Sequence, residues 1–129
     1  MTTPLDVHIT IAGQPPRKSN SRRIVKSRRT GRPMLIKSKE ALAWVASAKM
    51  QIPADIRGLQ AGSAGRPLCI SFWVRYTSRR PDLSVELILD TLQDAGVISD
   101  DRYVFEVHAY KAIDRANPGV DIIIEETTP

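Results

Sequence analysis

Carboxylates recur through one short stretch of the chain, residues 79–101, which reads RRPDLSVELILDTLQDAGVISDD. Asp82, Glu86 and Asp90 are spaced four residues apart, so on a helix they would follow one face, and Asp94 continues the line. Two interpretations are open for such a line. It is either a solvated acidic surface or one wall of a site that binds a divalent cation.

A cation site needs oxygen ligands from more than one chain segment, and Asp100 and Asp101, in a predicted loop, could supply the second segment. Mg²⁺ prefers an octahedral oxygen shell made from a few carboxylates and several waters. Arg79 and Arg80, directly before Asp82, add positive charge beside the acids. Phosphodiester cleavage needs this combination, because arginines hold phosphates while the metal activates water. The stretch therefore predicts metal-dependent hydrolysis of a phosphodiester.

Basic residues concentrate elsewhere in the chain. Ten of the 19 lysines and arginines lie in the 23-residue span 17–39, which contains no acid, whereas 11 of the 14 acids lie from Asp82 onward. Such a chain could grip a phosphate backbone with its first third and hold cations with its last third. The alternative is that the basic segment is disordered and solvated. We expect DNA contacts from the basic loop and hairpin at 13–37 and from basic side chains near the acidic stretch. The residues in the loop and hairpin are Arg17, Lys18, Arg22, Arg23, Arg28 and Arg29, and those near the acidic stretch are Arg79, Arg80 and Lys111.

Composition limits the class of protein. A chain of 129 residues with 42% hydrophobic and 26% charged residues predicts one globular domain, residues 1–129, and its net charge of +5 favours polyanionic partners. A single cysteine, Cys69 in an apolar run, excludes an internal disulfide and indicates a reducing compartment. The sequence has neither an apolar run of about 20 residues nor a signal peptide, so we expect a cytoplasmic protein without membrane contact. His8 and His108 lie in predicted strands and are expected to be structural.

The elements that must position these residues follow from alternation, capping residues and chain breakers. The predicted order is β, basic hairpin, α, β, α, β, β, an α+β domain with a mixed or antiparallel sheet and two helices. Ser38 is a predicted N-cap. The second helix is predicted from about Leu83 to Ala95, ending at Gly96.

The first helix carries a predicted core-facing stripe at helical spacing, made of Leu42, Val45, Ala46, Lys49 and Met50. Trp44 lies on the same helix. A packing role is favoured for it over base stacking, since tryptophan buries a large apolar area.

The acidic stretch also resembles a known family. RPDL at 80–83, the segment DTLQDAGVISDDRYV at 90–104 and a following strand that reaches Lys111 resemble the RusA family of Holliday junction resolvases. PPRKSNSRR at 15–23 resembles the proline-plus-basic loop after the family's first strand. The resemblance implies a small homodimeric endonuclease that uses Mg²⁺, or Mn²⁺, to cut four-way DNA junctions in recombination and repair. It also implies a phage or prophage gene expressed in the bacterial cytoplasm.

The chain departs from the family at the start of the second helix, where the family has the pattern D-x-D-N-x-x-K. Aligned from the left, Asp82 is the first aspartate, Ser84 replaces the second and Ile88 replaces the lysine. Aligned backward from Asp90, Asp82 is the second aspartate, Arg80 replaces the first and Glu86 replaces the lysine. In either alignment one carboxylate and the lysine are missing.

The resemblance also assigns roles. Asp101 corresponds to the family's last catalytic aspartate, Asp100 is its neighbour in the acidic pair, and Asp90 matches an aspartate that we interpret as structural. Glu86 could replace the lost carboxylate, which predicts a catalytic set of Asp82, Glu86 and Asp101, with Asp82, Asp100 and Asp101 as metal ligands. The alternative is a degenerate site, in a protein that binds branched DNA or a protein partner without cutting. A basic protein directed at RNA is a third reading.

Overall fold

The computed structural model describes residues 5–17 and 22–128, without the side chain of Arg22. The elements in chain order are β1 (Asp6–Ala12), β2 (Arg22–Lys26), β3 (Pro33–Lys37), α1 (Lys39–Gln51), β4 (Leu68–Tyr76), α2 (Glu86–Asp94), a 3₁₀ turn (Asp101–Tyr103), β5 (Val104–Ile113) and β6 (Gly119–Glu126). The predicted α+β class and order of elements are therefore confirmed.

Four strands form the main sheet, in the order β1-β6-β4-β5. β6 pairs antiparallel with both β1 and β4, whereas β5 pairs in parallel with β4, so the sheet is mixed. β2 and β3 form a separate two-stranded antiparallel sheet. The parallel pair has a consequence for the site, because the chain must cross over between β4 and β5, and α2 lies in that crossover.

The core lies between the main sheet and the two helices. Alternate residues of the strands point into it, as period-two burial requires, and Phe72 and Val74 on β4 are fully buried. α1 and α2 cover this face with Trp44, Val45, Ile88 and Leu92, among others. On the opposite face of the sheet the side chains of the outer strands β1 and β5 are mostly exposed, whereas those of the central strands β4 and β6 are mostly half-buried.

The N-cap of α1 is confirmed, since the Ser38 hydroxyl accepts a hydrogen bond from the Ala41 amide at 3.1 Å. The predicted stripe is confirmed at Val45 and wrong at its other positions. The buried residues of α1 are Ala41, Trp44, Val45 and Ala48, while Leu42 is 53% exposed and Met50 is 83% exposed. Apolar residues surround this alanine-rich helix, so its sequence carries little information about which side meets the sheet.

α2 begins at Glu86, not at the predicted Leu83, and therefore excludes Asp82. Side chains from the sheet bind the backbone of the preceding segment: the Tyr76 hydroxyl donates to the Asp82 carbonyl at 3.2 Å, and the Lys111 ammonium donates to the Pro81 carbonyl at 2.6 Å. Those tertiary contacts prevail over the local helix preference. The predicted stop is confirmed, because Gly96 follows the C-cap with φ of 73°, a conformation that glycine adopts at little cost.

The predicted basic hairpin is present. A turn with Gly31 at φ of 71° joins β2 to β3, and the Ser27 amide donates to the Arg32 carbonyl at 2.9 Å. The paired side chains of Ile24 and Leu35 are 73% and 57% exposed. In the part of the chain that the structure describes, no helix is long and apolar enough to cross a membrane.

Candidate functional site

A pocket beside α2 brings three of the acidic residues together. Glu86, Leu89 and Asp90 line it from the helix, and Asp101 lines it from the 3₁₀ turn. Glu86 and Asp90 share a helix face because they are four residues apart. The pocket measures about 200 Å³, which is room for a cation with several of its waters at about 30 Å³ each. Carboxylates from two chain segments therefore line one pocket, and the catalytic roles predicted for Glu86 and Asp101 stay predictions.

A side-chain hydrogen bond places the 3₁₀ turn against the helix. The Asp101 amide donates to Oε1 of Gln93 at 3.0 Å, so the start of the turn is joined to the last turn of α2. Asp100 does not line the pocket; its Oδ1 accepts from the Arg102 amide at 3.0 Å, and its other carboxylate oxygen lies 3.7 Å from Nε of Arg102. Asp100 therefore caps the turn that presents Asp101.

Asp82 is not among the residues that line this pocket. It stands four residues before α2 begins, and its carbonyl accepts the hydrogen bond from the Tyr76 hydroxyl. Burial raises the pKa of the Tyr76 hydroxyl, and the nearby Asp82 carboxylate raises it further. The Asp82 carboxylate therefore lies near Tyr76, and its predicted role as a metal ligand stays a prediction. Asp90, which the sequence suggested was structural, takes its place in the pocket.

Cations flank the acidic face of α2. Lys37, the last residue of β3, lines a groove with Asp90, Gln93 and Asp94, so the base of the basic hairpin lies beside the acids. Lys49 of α1 donates to Oδ2 of Asp94 at 2.6 Å. This hydrogen bond and the charge of Lys49 lower the pKa of the Asp94 carboxyl, and the charge of Lys37 lowers it further. Asp94 is therefore engaged with lysines rather than with the pocket.

The predicted DNA-contacting residues fall into two regions. Arg17, Arg23, Arg28 and Arg29 are exposed on the basic loop and hairpin, whereas Lys18 and the side chain of Arg22 lie outside the described residues. Arg79 and Arg80 are exposed in the loop after β4. Lys111 has a structural role that the sequence did not suggest, since its ammonium donates to the carbonyls of Arg79 and Pro81 at 2.7 and 2.6 Å.

A second cluster lies on the opposite face of the sheet. The Cys69 thiol donates to Oε2 of Glu106 at 3.3 Å, and Nε2 of His108 lies 2.6 Å from the same oxygen. Burial raises the pKa of the thiol to about 11, and the hydrogen bond to Glu106 contributes to that rise. The hydrogen bond from His108 lowers the pKa of the Glu106 carboxyl. The sequence missed this cluster because only the register of the parallel pair β4–β5 brings Cys69 beside Glu106.

The donor atoms decide which cations each region could hold. Among residues 5–17 and 22–128, Cys69, Glu106 and His108 are the one trio of possible ligands whose atoms all lie within 4.8 Å of one another. The carboxylates of Glu86, Asp90 and Asp101 are therefore more widely spread, although their oxygens suit Mg²⁺.

The chain matches no model of a known protein family, and no curated protein matches it either.

Proposed function

We propose that the protein is a RusA-like endonuclease that resolves branched DNA by metal-dependent phosphodiester hydrolysis. One observation carries the proposal: Glu86 and Asp90 of the helix and Asp101 of the turn line one pocket. The base of the basic hairpin supports it, because Lys37 lies in the groove that adjoins Asp90. An acidic pocket beside an exposed basic arm is suited to a cation and a phosphate backbone together.

In this proposal the three carboxylates hold a divalent ion, Mg²⁺ or Mn²⁺, which when bound would activate water and offset charge on the phosphate. Arg23, Arg28 and Arg29 on the hairpin bind phosphates along the DNA arms. The carboxylates repel one another without a cation, so a spread arrangement is the expected starting geometry. Binding of the ion would draw them together.

Two copies of the chain would act on the two strands of a four-way junction. The edge strand β5 supports this part of the proposal, because it is the last strand of the sheet and exposes apolar side chains. Phe105 is 56% exposed and Tyr110 is 50% exposed. Phe105→Glu should shift the protein from dimer to monomer in sedimentation velocity, whereas Leu42→Glu, on the similarly exposed surface of α1, should not. A monomeric wild type would contradict the dimer.

The test of the activity is incubation with a synthetic four-way junction and Mg²⁺ or Mn²⁺. We expect paired, symmetric nicks in the wild type, and losses of at least ~100-fold in Glu86→Gln, Asp90→Asn and Asp101→Asn, because a metal-ligating carboxylate positions the attacking water. Asp55→Asn, on an exposed turn that does not line the pocket, is the matched control and should cut normally. Asp82→Asn distinguishes the carboxylates that line the pocket from the catalytic set predicted by the sequence, which includes Asp82. Normal cutting by this variant would support the pocket residues, and a large loss would support the predicted set.

A second candidate function, junction binding without cleavage, is favoured by one observation. In the described ranges, the acidic pocket does not bring three ligand atoms within 4.8 Å of one another. In that case the junction would bind, with a steep salt dependence, and no nicks would form in either metal. Equal affinity for structured RNA would instead indicate an RNA-directed protein.

A further inference from the structure

The face of the sheet that points away from the helices has its own chemistry. Odd-numbered residues of β4 lie on it, because the even-numbered ones fill the core. Cys69 pairs in register with Glu106 of β5, and His108 lies two residues further along the same face. A thiol, a carboxylate and an imidazole from two adjacent strands are therefore neighbours without any loop being involved.

The three ligand atoms are close enough to share one ion. Sγ of Cys69 and Nε2 of His108 lie 3.3 and 2.6 Å from the same oxygen of Glu106, and all three atoms lie within 4.8 Å of one another. Tetrahedral zinc, with bonds of about 2.0 to 2.3 Å, holds its ligand atoms about 3.5 Å apart. Release of the Cys69 thiol proton to solvent, with small side-chain rotations, would therefore convert the hydrogen-bonded trio into a coordination shell.

The surroundings favour a cation. Cys69 is paired on its other side with Glu125 of β6, whose carboxylate adds negative charge near the thiol. Glu106 and His108 are about half exposed, so an ion could reach them from solvent and keep a water as its fourth ligand. A mixed sulfur, nitrogen and oxygen set suits zinc and related transition metals, whereas Mg²⁺ prefers oxygen alone.

We propose that Cys69, Glu106 and His108 form a Zn²⁺-binding site on the face of the sheet that points away from the helices, separate from the acidic pocket beside α2. The ion would join the edge strand β5 to the central strand β4. It would therefore stabilise the folded chain, by an amount that rises with the logarithm of the Zn²⁺ concentration above the dissociation constant. The proposal is independent of the endonuclease assignment, since it uses none of the residues of the acidic pocket.

The test uses the whole chain, freed of metal and titrated with ZnCl₂ by calorimetry and with CoCl₂ by absorption spectroscopy. We expect one equivalent of Zn²⁺ with a dissociation constant below about 10 µM. Co²⁺ should give the visible bands of a tetrahedral site together with a thiolate-to-cobalt charge-transfer band. Mg²⁺ in millimolar excess should not displace either ion.

The chain offers a matched control. His8 contacts Asp6, two residues before it, at 2.9 Å, as His108 contacts Glu106, but the His8 pair has no thiol beside it in the described structure. Cys69→Ser and His108→Gln should each weaken Zn²⁺ binding at least ~10-fold, while His8→Gln should leave it unchanged. His108 is exposed, so His108→Gln remains informative if Cys69→Ser fails to fold. Unchanged affinity in His108→Gln, or a cobalt spectrum without the thiolate band, would overturn the proposal.

Discussion

Lys111 offers the sharpest test of how the acidic stretch is held in place. Its ammonium donates to the carbonyls of Arg79 and Pro81 at 2.7 and 2.6 Å and lies 5.8 Å from the centre of the Tyr76 ring. Lys111→Met keeps most of the apolar stem and removes the donor. The loop after β4 then loses both hydrogen bonds, and its carbonyls must turn to solvent.

The expected cost follows from those two bonds. A hydrogen bond from a charged donor contributes about 1.5–3 kcal/mol when it is well shielded. Because Lys111 is exposed and water can partly replace it, we expect a loss of about 2 kcal/mol for the pair. Unfolding entropy is about 2.1 cal/mol/K per residue, so for 129 residues this loss lowers Tm by about 7 °C.

Two assays measure the effect. Thermal unfolding followed by circular dichroism gives the change in Tm, and limited trypsin digestion with mass spectrometry reports cleavage after Arg79. We expect the variant to be cut there faster than the wild type, because the loop is released. Arg115→Met, on an exposed loop, controls for the loss of one positive charge. A Tm within about 2 °C of the wild type, with no faster cleavage after Arg79, would refute the structural role of Lys111.

Three further predictions concern single side chains. Gly119→Ala should destabilise the fold by several kcal/mol, roughly the upper range for overpacking. The reason is that the new Cβ would stand 2.3 Å from the Ile11 carbonyl oxygen. Chemical denaturation measures the change in the free energy of unfolding. Trp44→Phe should cost about 1 kcal/mol in the same assay, because the indole donates to the Gly13 carbonyl at 3.1 Å, and no loss would contradict that bond. With its pKa raised to about 11, the Cys69 thiol should react with iodoacetamide at pH 8 about 100-fold more slowly than an ordinary thiol of pKa 9.0. Its reaction rate should then rise tenfold for each pH unit up to about pH 11. A rate that no longer rises above pH 9 would contradict the raised pKa.

Elements with a strong local pattern were predictable from the sequence. The apolar run of β4, the Ser38 cap and the stop at Gly96 all arise from residues close in sequence, and the structure bears them out. The start of α2 was not predictable, because the side chains that bind the Pro81 and Asp82 carbonyls, just before the helix, come from Tyr76 and Lys111 of the sheet. Such contacts exist only once the sheet has formed.

The candidate sites divide in the same way. Glu86 and Asp90 share a helix face through their spacing, and that much could be read from the chain. The addition of Asp101 depends on the side chain of Gln93, which no spacing reveals. The trio around Cys69 depends on strand register, and parallel strands distant in sequence leave no local trace of it.

The position of β6 in the sheet has a consequence for how the chain folds during its synthesis. β6 lies between β1 and β4, so the first of the main strands has no sheet neighbour until the last one arrives. During synthesis β1 leaves the ribosome before β6 has been made. Its residues Val7, Ile9 and Ile11, which are buried in the folded protein, pair with β6 residues more than 100 positions later in the chain. Such pairing between segments distant in sequence makes folding slow and leaves the incomplete chain prone to aggregation. Removing the segment that forms β6 should therefore leave an insoluble product rather than a smaller working domain.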